Sequence, residues 1–163
     1  MIAILDYGSQ YSELIARRIR EANVFSEVLN HKTTYSELKE KGFKGIILSG
    51  GPASVFEPNA HSCDPAILTG DIPVLGICYG MQLIAHSLGG VVEKGTKQEY
   101  GKANITIDDT VDLFKGLNDK KTQVWMSHGD HVSKLPEGFS ILGHTDNCPI
   151  ASCGNHTTKI YGL

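Results

Sequence analysis

The sequence predicts an α/β fold of three layers, with a largely parallel central sheet and a strand-rich second half. Two observations carry that expectation. From residue 1 to about 90, short β-branched runs alternate with segments of helical period, the pattern of parallel strands covered by helices. Beyond Val91 the helical periods stop, and strand-like runs separated by turns follow one another.

Taken in order, residues 2–5 form a buried first strand. Tyr11, Leu14, Ile15, Ile19 and Ala22 then recur at helical spacing, with Arg17, Arg20 and Glu21 turned to water. Residues 24–29 form a second strand, 35–41 a short helix and 45–48 a third strand. After a loop rich in Gly and Pro, Pro73 opens the apolar run 74–77. A helix carrying Met81, Ile84, Ala85 and Leu88 follows without a spacer and stops at Gly89 and Gly90. In the second half, residues 104–107, 122–127, 139–144, 149–152 and 159–163 read as strands. No repeat or linker divides residues 1–163, which form one expected domain. The last run has no turn signal after it, so that domain is expected to be incomplete at its C-terminus.

A chain of 163 residues, 40% hydrophobic and 20% charged, suits one soluble core. Its net charge of -3 supplies no basic field to displace counterions from phosphates, which argues against a nucleic-acid partner. No run approaches the ~20 apolar residues of a membrane span, and the apolar start is too short for a signal peptide. A cytoplasmic protein without a membrane partner is therefore expected. Cys63, Cys78, Cys148 and Cys153 lack metal-type spacing, so no metal site is expected, and a disulfide framework does not suit such a chain. Reactivity remains as a reason for at least one cysteine.

Gly76-Ile77-Cys78-Tyr79-Gly80 has the form Gly-x-nucleophile-x-Gly at a junction of strand and helix. The tight turn strains the nucleophile's backbone and leaves no room for side chains two positions away. The helix start should also favour the Cys78 thiolate and lower its pKa. A buried structural cysteine is the bland alternative, against which the flanking glycines weigh. Gln82 lies one helical turn on from Cys78, where its carboxamide can meet a polar substrate. An oxyanion needs donors, and the amide of Tyr79 and that of Gly51, in Ser49-Gly50-Gly51-Pro52, are the candidates.

Ser49 to Ser54 also resembles the phosphate loop of ATP pyrophosphatases, but Ala53 stands at the aspartate position and Pro52 removes a donor. A thiol that cleaves an amide requires a base, normally a histidine held by a carboxylate. His86 lies about 12 Å along the helix axis from Cys78 at ~1.5 Å per residue, too far to share a proton. His31, His61, His144 and His156 read as solvated. His128 or His131, in Ser127-His128-Gly129-Asp130-His131, remains a candidate base, although the glycine and aspartate suit a loop that binds a charged ligand. No convincing pair of histidine and carboxylate is legible.

Gly76-Ile77-Cys78-Tyr79-Gly80-Met81-Gln82 resembles the nucleophile elbow of the class I glutamine amidotransferases. The similarity runs along essentially the whole chain through Asp6-Tyr7-Gly8-Ser9-Gln10-Tyr11, Leu48-Ser49-Gly50-Gly51-Pro52, Glu99-Tyr100-Gly101, Val124-Trp125-Met126-Ser127-His128-Gly129-Asp130 and Thr145-Asp146-Asn147-Cys148-Pro149. Tyr79 with Met81 resembles the branch that serves GMP synthases, since relatives that feed other acceptors usually carry leucine after the cysteine. The resemblance implies a flavodoxin-like fold and a Cys78 that attacks the side-chain amide of glutamine, forming a γ-glutamyl thioester and releasing ammonia. Gly51 and Tyr79 match the oxyanion donors; Gln82, Ser127, His128, Gly129 and Asp130 match positions that hold glutamine.

The implied partner is an ATP pyrophosphatase (synthetase) domain or subunit, which uses ATP and Mg to convert XMP to GMP; the domain itself needs no cofactor. In the family, the strand equivalent to residues 159–163 continues into Gln-Phe-His-Pro-Glu, which carries the base and its orienting carboxylate, so this chain alone is expected to turn over little glutamine. A non-catalytic glutamine-binding or docking module that regulates a synthetase is the alternative. A peptidase or γ-glutamyl hydrolase should lack Tyr79, Met81 and the 127–130 block.

Overall fold

The computed structural model describes the backbone of residues 1–163 and every side chain except those of residues 96–100, 127 and 128. Nine strands, β1 (Ile2–Asp6), β2 (Ser26–Asn30), β3 (Gly45–Leu48), β4 (Val74–Gly76), β5 (Val91–Ile107), β6 (Lys121–Lys134), β7 (Ser140–His144), β8 (Ser152–Asn155) and β9 (Ile160–Gly162), form one sheet in the order β2-β1-β3-β4-β9-β8-β7-β5-β6. β2, β1, β3, β4 and β9 are parallel. β8, β7, β5 and β6 continue the sheet antiparallel. The α/β class and the strand-rich second half are as the sequence predicts.

Helices α1 (Ser12–Glu21), α2 (Tyr35–Glu40) and α3 (Pro65–Thr69) connect the parallel strands β1 to β4, and α4 (Tyr79–Ser87) leads from β4 to β5. Covering from both sides explains the unbroken apolar strands: Ala3, Ile4 and Leu5 of β1 are all fully buried. α2 starts on a capping box, in which the Thr34 hydroxyl accepts from the Glu37 amide and the Glu37 carboxylate accepts from the Thr34 amide.

Several local expectations are corrected. α1 buries Ser12 and Ala16, whereas Tyr11 and Leu14 are exposed. The helix packs close to the sheet, the Ser26 hydroxyl donating to the Ala16 carbonyl at 2.8 Å, so small residues take the inner face. Val24 and Phe25 lie before β2 rather than in it. α3 falls where only a loop is expected; Asp64 caps it and Pro65 starts it inside the Gly- and Pro-rich segment. β5 and β6 form a far longer hairpin than the runs 104–107 and 122–127, and the strand expected at 149–152 lies at Ser152–Asn155. Among the described residues no helix is long and apolar enough to cross a membrane.

Candidate functional site

β4 ends at Gly76 and α4 begins at Tyr79, so Ile77 and Cys78 make the whole turn. Cys78 takes φ 50° and ψ -108°, a conformation that costs an L-residue on the order of 1–3 kcal/mol. Its neighbours enforce it. The Cys78 amide donates to the Leu163 carbonyl at 2.7 Å, that of Leu163 to Gly76 at 3.0 Å, and that of Ile77 to Leu48 at 2.9 Å. A Cβ on Gly76 would lie 2.5 Å from the Gly80 carbonyl, and one on Gly80 would strike the Leu48 backbone. Both glycines of the turn are therefore sterically required, as expected.

Cys78 is half-buried and opens on a cleft of about 360 Å³ that Gly51, Tyr79, Gln82, Gly129 and Asp130 also line. Cys148 and Cys153, by contrast, are buried, and burial pushes the Cys153 thiol up to about 12. The loop after β3 passes beside Cys78: a Cβ on Gly50 would sit 3.6 Å from that of Cys78, and one on Gly51 would lie 2.5 Å from the Tyr7 carbonyl. Tyr79 is the first residue of α4, and no hydrogen bond among the described residues uses its amide or that of Gly51. The phosphate-loop reading fails on local geometry. Ser49 is fully buried, accepting from the Tyr7 amide at 3.0 Å and donating to the Gly50 carbonyl at 2.9 Å.

The expectation of a lowered thiol pKa is corrected. Burial pushes the Cys78 thiol up, and among the described residues no charged side chain opposes that shift.

The Gln82 amide nitrogen donates to the Asp130 carbonyl at 3.0 Å, which ties α4 to β6. The Asp130 carboxylate accepts from the Ser54 hydroxyl at 2.6 Å, which ties β6 to the loop after β3. The backbones of Ser127 and His128 pair with Tyr100 and Glu99 in the β5–β6 hairpin, while their side chains lie outside the described residues. Sequence reasoning missed Ser54 and Glu57, which also line the cleft; they sit in a loop without periodicity.

His131 lines a second, largely apolar cavity of about 160 Å³ that Cys78 also lines, with Met81, Met126 and Leu163. No carboxylate bonds to it among the described residues. Two pairs of histidine and carboxylate do exist, contrary to expectation. His144 Nδ1 lies 2.7 Å from Asp108, and His156 lies 2.9 Å from Asp112 and 3.0 Å from Asp109. Among the described residues, neither histidine joins Cys78 in lining the cleft, the apolar cavity beside it or the cavity bordered by Gly8 and Gln10. His31 and His61 stack with ring centroids 4.2 Å apart, and His86 lies on α4 against Phe56. Among the described residues no group of three metal-ligating side chains converges.

Residues 3–163 match the family described as glutamine amidotransferase class-I. The chain is 56% identical over its whole length to a GMP synthase [glutamine-hydrolyzing] of Nostoc punctiforme and 57% identical to that of Crocosphaera subtropica. It spans 30% of the length of each of those relatives. A Thermoplasma acidophilum protein, assigned as one subunit of a GMP synthase, superposes over 99% of this chain and 81% of its own with TM-score 0.85 and 28% identity. A glutamine amidotransferase of Thermotoga maritima shares the fold, with TM-score 0.75, 23% identity and 99% and 73% coverage.

Proposed function

The chain belongs to the class I glutamine amidotransferase family, and on that premise we propose that Cys78 hydrolyses glutamine to glutamate and ammonia through a γ-glutamyl thioester. The observation that carries the proposal is the strained Cys78 at the start of α4, facing a cleft into which the unengaged amides of Gly51 and Tyr79 can donate. The sulfur attacks the side-chain carbonyl, the two amides hold the developing oxyanion, and the amine leaves as ammonia; water then releases glutamate. Gln82, Gly129 and Asp130 hold the glutamine, with Ser127 and His128 of the same block.

The similarity to GMP synthases supports the finer reading that the ammonia passes to an ATP pyrophosphatase domain or subunit, which consumes ATP with Mg and converts XMP to GMP. This unit needs no cofactor of its own, and residues 1–163 belong to a single glutaminase domain.

The raised thiol pKa makes a base necessary, and no histidine held by a carboxylate lines a cavity with Cys78 among the described residues. The 163 residues alone should therefore turn over little glutamine. That same observation favours the second reading, a glutamine-binding or docking module that regulates a synthetase. Incubation with glutamine, assayed for glutamate, tests the need for a further base, since turnover typical of an intact glutaminase would refute it. Mass-spectrometric mapping after reaction with a glutamine-like electrophile should find the adduct on Cys78; an adduct on another cysteine would discredit the nucleophile.

A further inference from the structure

An oxyanion needs both of its donors within roughly 2.7–3.1 Å of one oxygen, yet Gly51 and Tyr79 stand on different elements, the loop after β3 and the start of α4. The Ile77 amide donates to the Leu48 carbonyl at 2.9 Å; beyond that bond, among the described residues, no backbone hydrogen bond joins the loop to α4. Tyr7 and Ser49 lie at this gap, and neither lines the cleft. Ser49 is fully buried; its hydroxyl accepts from the Tyr7 amide at 3.0 Å and donates to the Gly50 carbonyl at 2.9 Å. The Gly50 carbonyl and the Gly51 amide belong to one trans peptide and point in opposite directions. The bond that holds the carbonyl on the buried serine therefore turns the amide away from it. Tyr7 touches both donor residues: a Cβ on Gly51 would lie 2.5 Å from its carbonyl, and its ring packs on that of Tyr79 with centroids 5.5 Å apart. The Tyr7 hydroxyl is buried with no hydrogen-bond partner among the described residues. Such burial is unfavourable, so packing accounts for the ring's place. That ring also meets His31, His31 stacks on His61, and the Tyr79 hydroxyl donates to the His61 carbonyl at 2.6 Å, which closes the contacts around Tyr79.

Resting on the glutaminase reading, we propose that Tyr7 and Ser49 are positioning residues that fix the Gly51 and Tyr79 amides relative to each other before a substrate arrives. Ser49 sets which way the Gly51 amide points. Tyr7 holds the Gly51 segment by its backbone and the first residue of α4 by its ring. Donors set in advance need no reorganisation as charge develops on the reacting oxygen. Neither side chain lines a cavity with Cys78, so both act through the two amides.

The test compares two reactions of the Cys78 thiol in the full chain. p-Nitrophenyl acetate acylates it through a tetrahedral oxyanion: the C–S bond forms, the C–O bond to p-nitrophenolate breaks, and the thiol proton passes to solvent. Iodoacetamide alkylates it by direct displacement of iodide, with no oxyanion. Both reactions consume the same thiolate, so the ratio of acylation to alkylation, mapped to Cys78 by mass spectrometry, cancels any change in the thiol's pKa. Ser49→Ala and Tyr7→Leu should each lower that ratio at least about threefold, short of the roughly 10²–10³-fold of losing a donor outright. Tyr7→Phe, which keeps the ring, should retain most of it. An unchanged ratio in folded Ser49→Ala or Tyr7→Leu would overturn the role of that residue and leave the glutaminase reading intact. A variant that fails to fold reveals itself by alkylation of all four cysteines alike, and the other variant then decides. If unaltered Cys78 shows no higher ratio than a free thiol such as N-acetylcysteine, the oxyanion donors are overturned, and the glutaminase reading with them.

Discussion

The parallel strands β1 to β4 and the antiparallel hairpin β5–β6 meet at the same cleft and contribute to it differently. The parallel half contributes a strained turn at Cys78, the amide of Tyr79, the Gln82 side chain and a loop at the carboxyl end of β3 that carries Gly51, Ser54 and Glu57, all at the sheet edge where open α/β sheets present their ligand sites. The hairpin contributes a side chain whose direction depends on register. Pairing of β5 with β6 breaks between Lys94 and Glu99, opposite Gly129, directly beside Asp130. A turn is specified by the residues within it; a bulge is specified by two strands at once.

Four experiments press on this comparison. The largest effect should come from core truncation. Leu5→Ala in β1 and Leu142→Ala in β7, both fully buried, should each lower unfolding free energy by about 2–5 kcal/mol. Urea unfolding followed by circular dichroism and by Trp125 fluorescence should show one shared transition for both variants. Two separate transitions would mean that the halves are independent units.

Gly80→Ala should destabilise by about 1–3 kcal/mol through the clash with the Leu48 backbone. A smaller loss in chemical denaturation would show that the elbow yields. Cys78→Gly acts oppositely: with the positive φ relieved, stability should rise by about 1 kcal/mol, while electrophile labelling at this position disappears. A fall in stability would indicate that the sulfur's packing outweighs its strain.

The smallest effect lies in the antiparallel half. Asp112 and then Asp109 raise the pKa of His156 through their hydrogen bonds. The stabilisation from this group is complete below the ordinary imidazole pKa and is lost as pH rises through the raised folded value. Asp109 and Asp112 are both held below the usual carboxylate range by hydrogen bonds, led by the Val111 amide and by the Tyr161 hydroxyl respectively. Their contribution is lost only as pH falls through those lowered values. Melting temperatures measured between pH ~5 and ~8 should decline slightly at the upper end, and His156→Gln should flatten that slope; a slope that persists in the variant assigns it elsewhere.

Cys78, Gly76 and Gly80 were legible because they form a recognisable pattern within five consecutive residues, although Leu48 and Leu163 complete the turn in space. So was the class of the fold, since β-branched runs and helical periods are local signals. The inner face of α1 was read only in part: Ile15 and Ile19 are half-buried and Arg17, Arg20 and Glu21 exposed, but hydrophobic spacing cannot report how closely a helix approaches the sheet, and Ala16 and Ser12 suit that distance. The length of β5 and β6 was underestimated because their polar outer positions gain strand character only by pairing.

The amino-acid sequence by itself determined the layered class and the turn that carries Cys78 between two glycines, because periodicity and a tight bend are written in near neighbours. Only the tertiary structure decided that burial raises the thiol's pKa, that Ser54 bonds Asp130 across 76 positions of chain, and that His144 and His156 find carboxylates away from the sulfur. Electrostatics and hydrogen bonding depend on distance in space, which sequence separation does not encode.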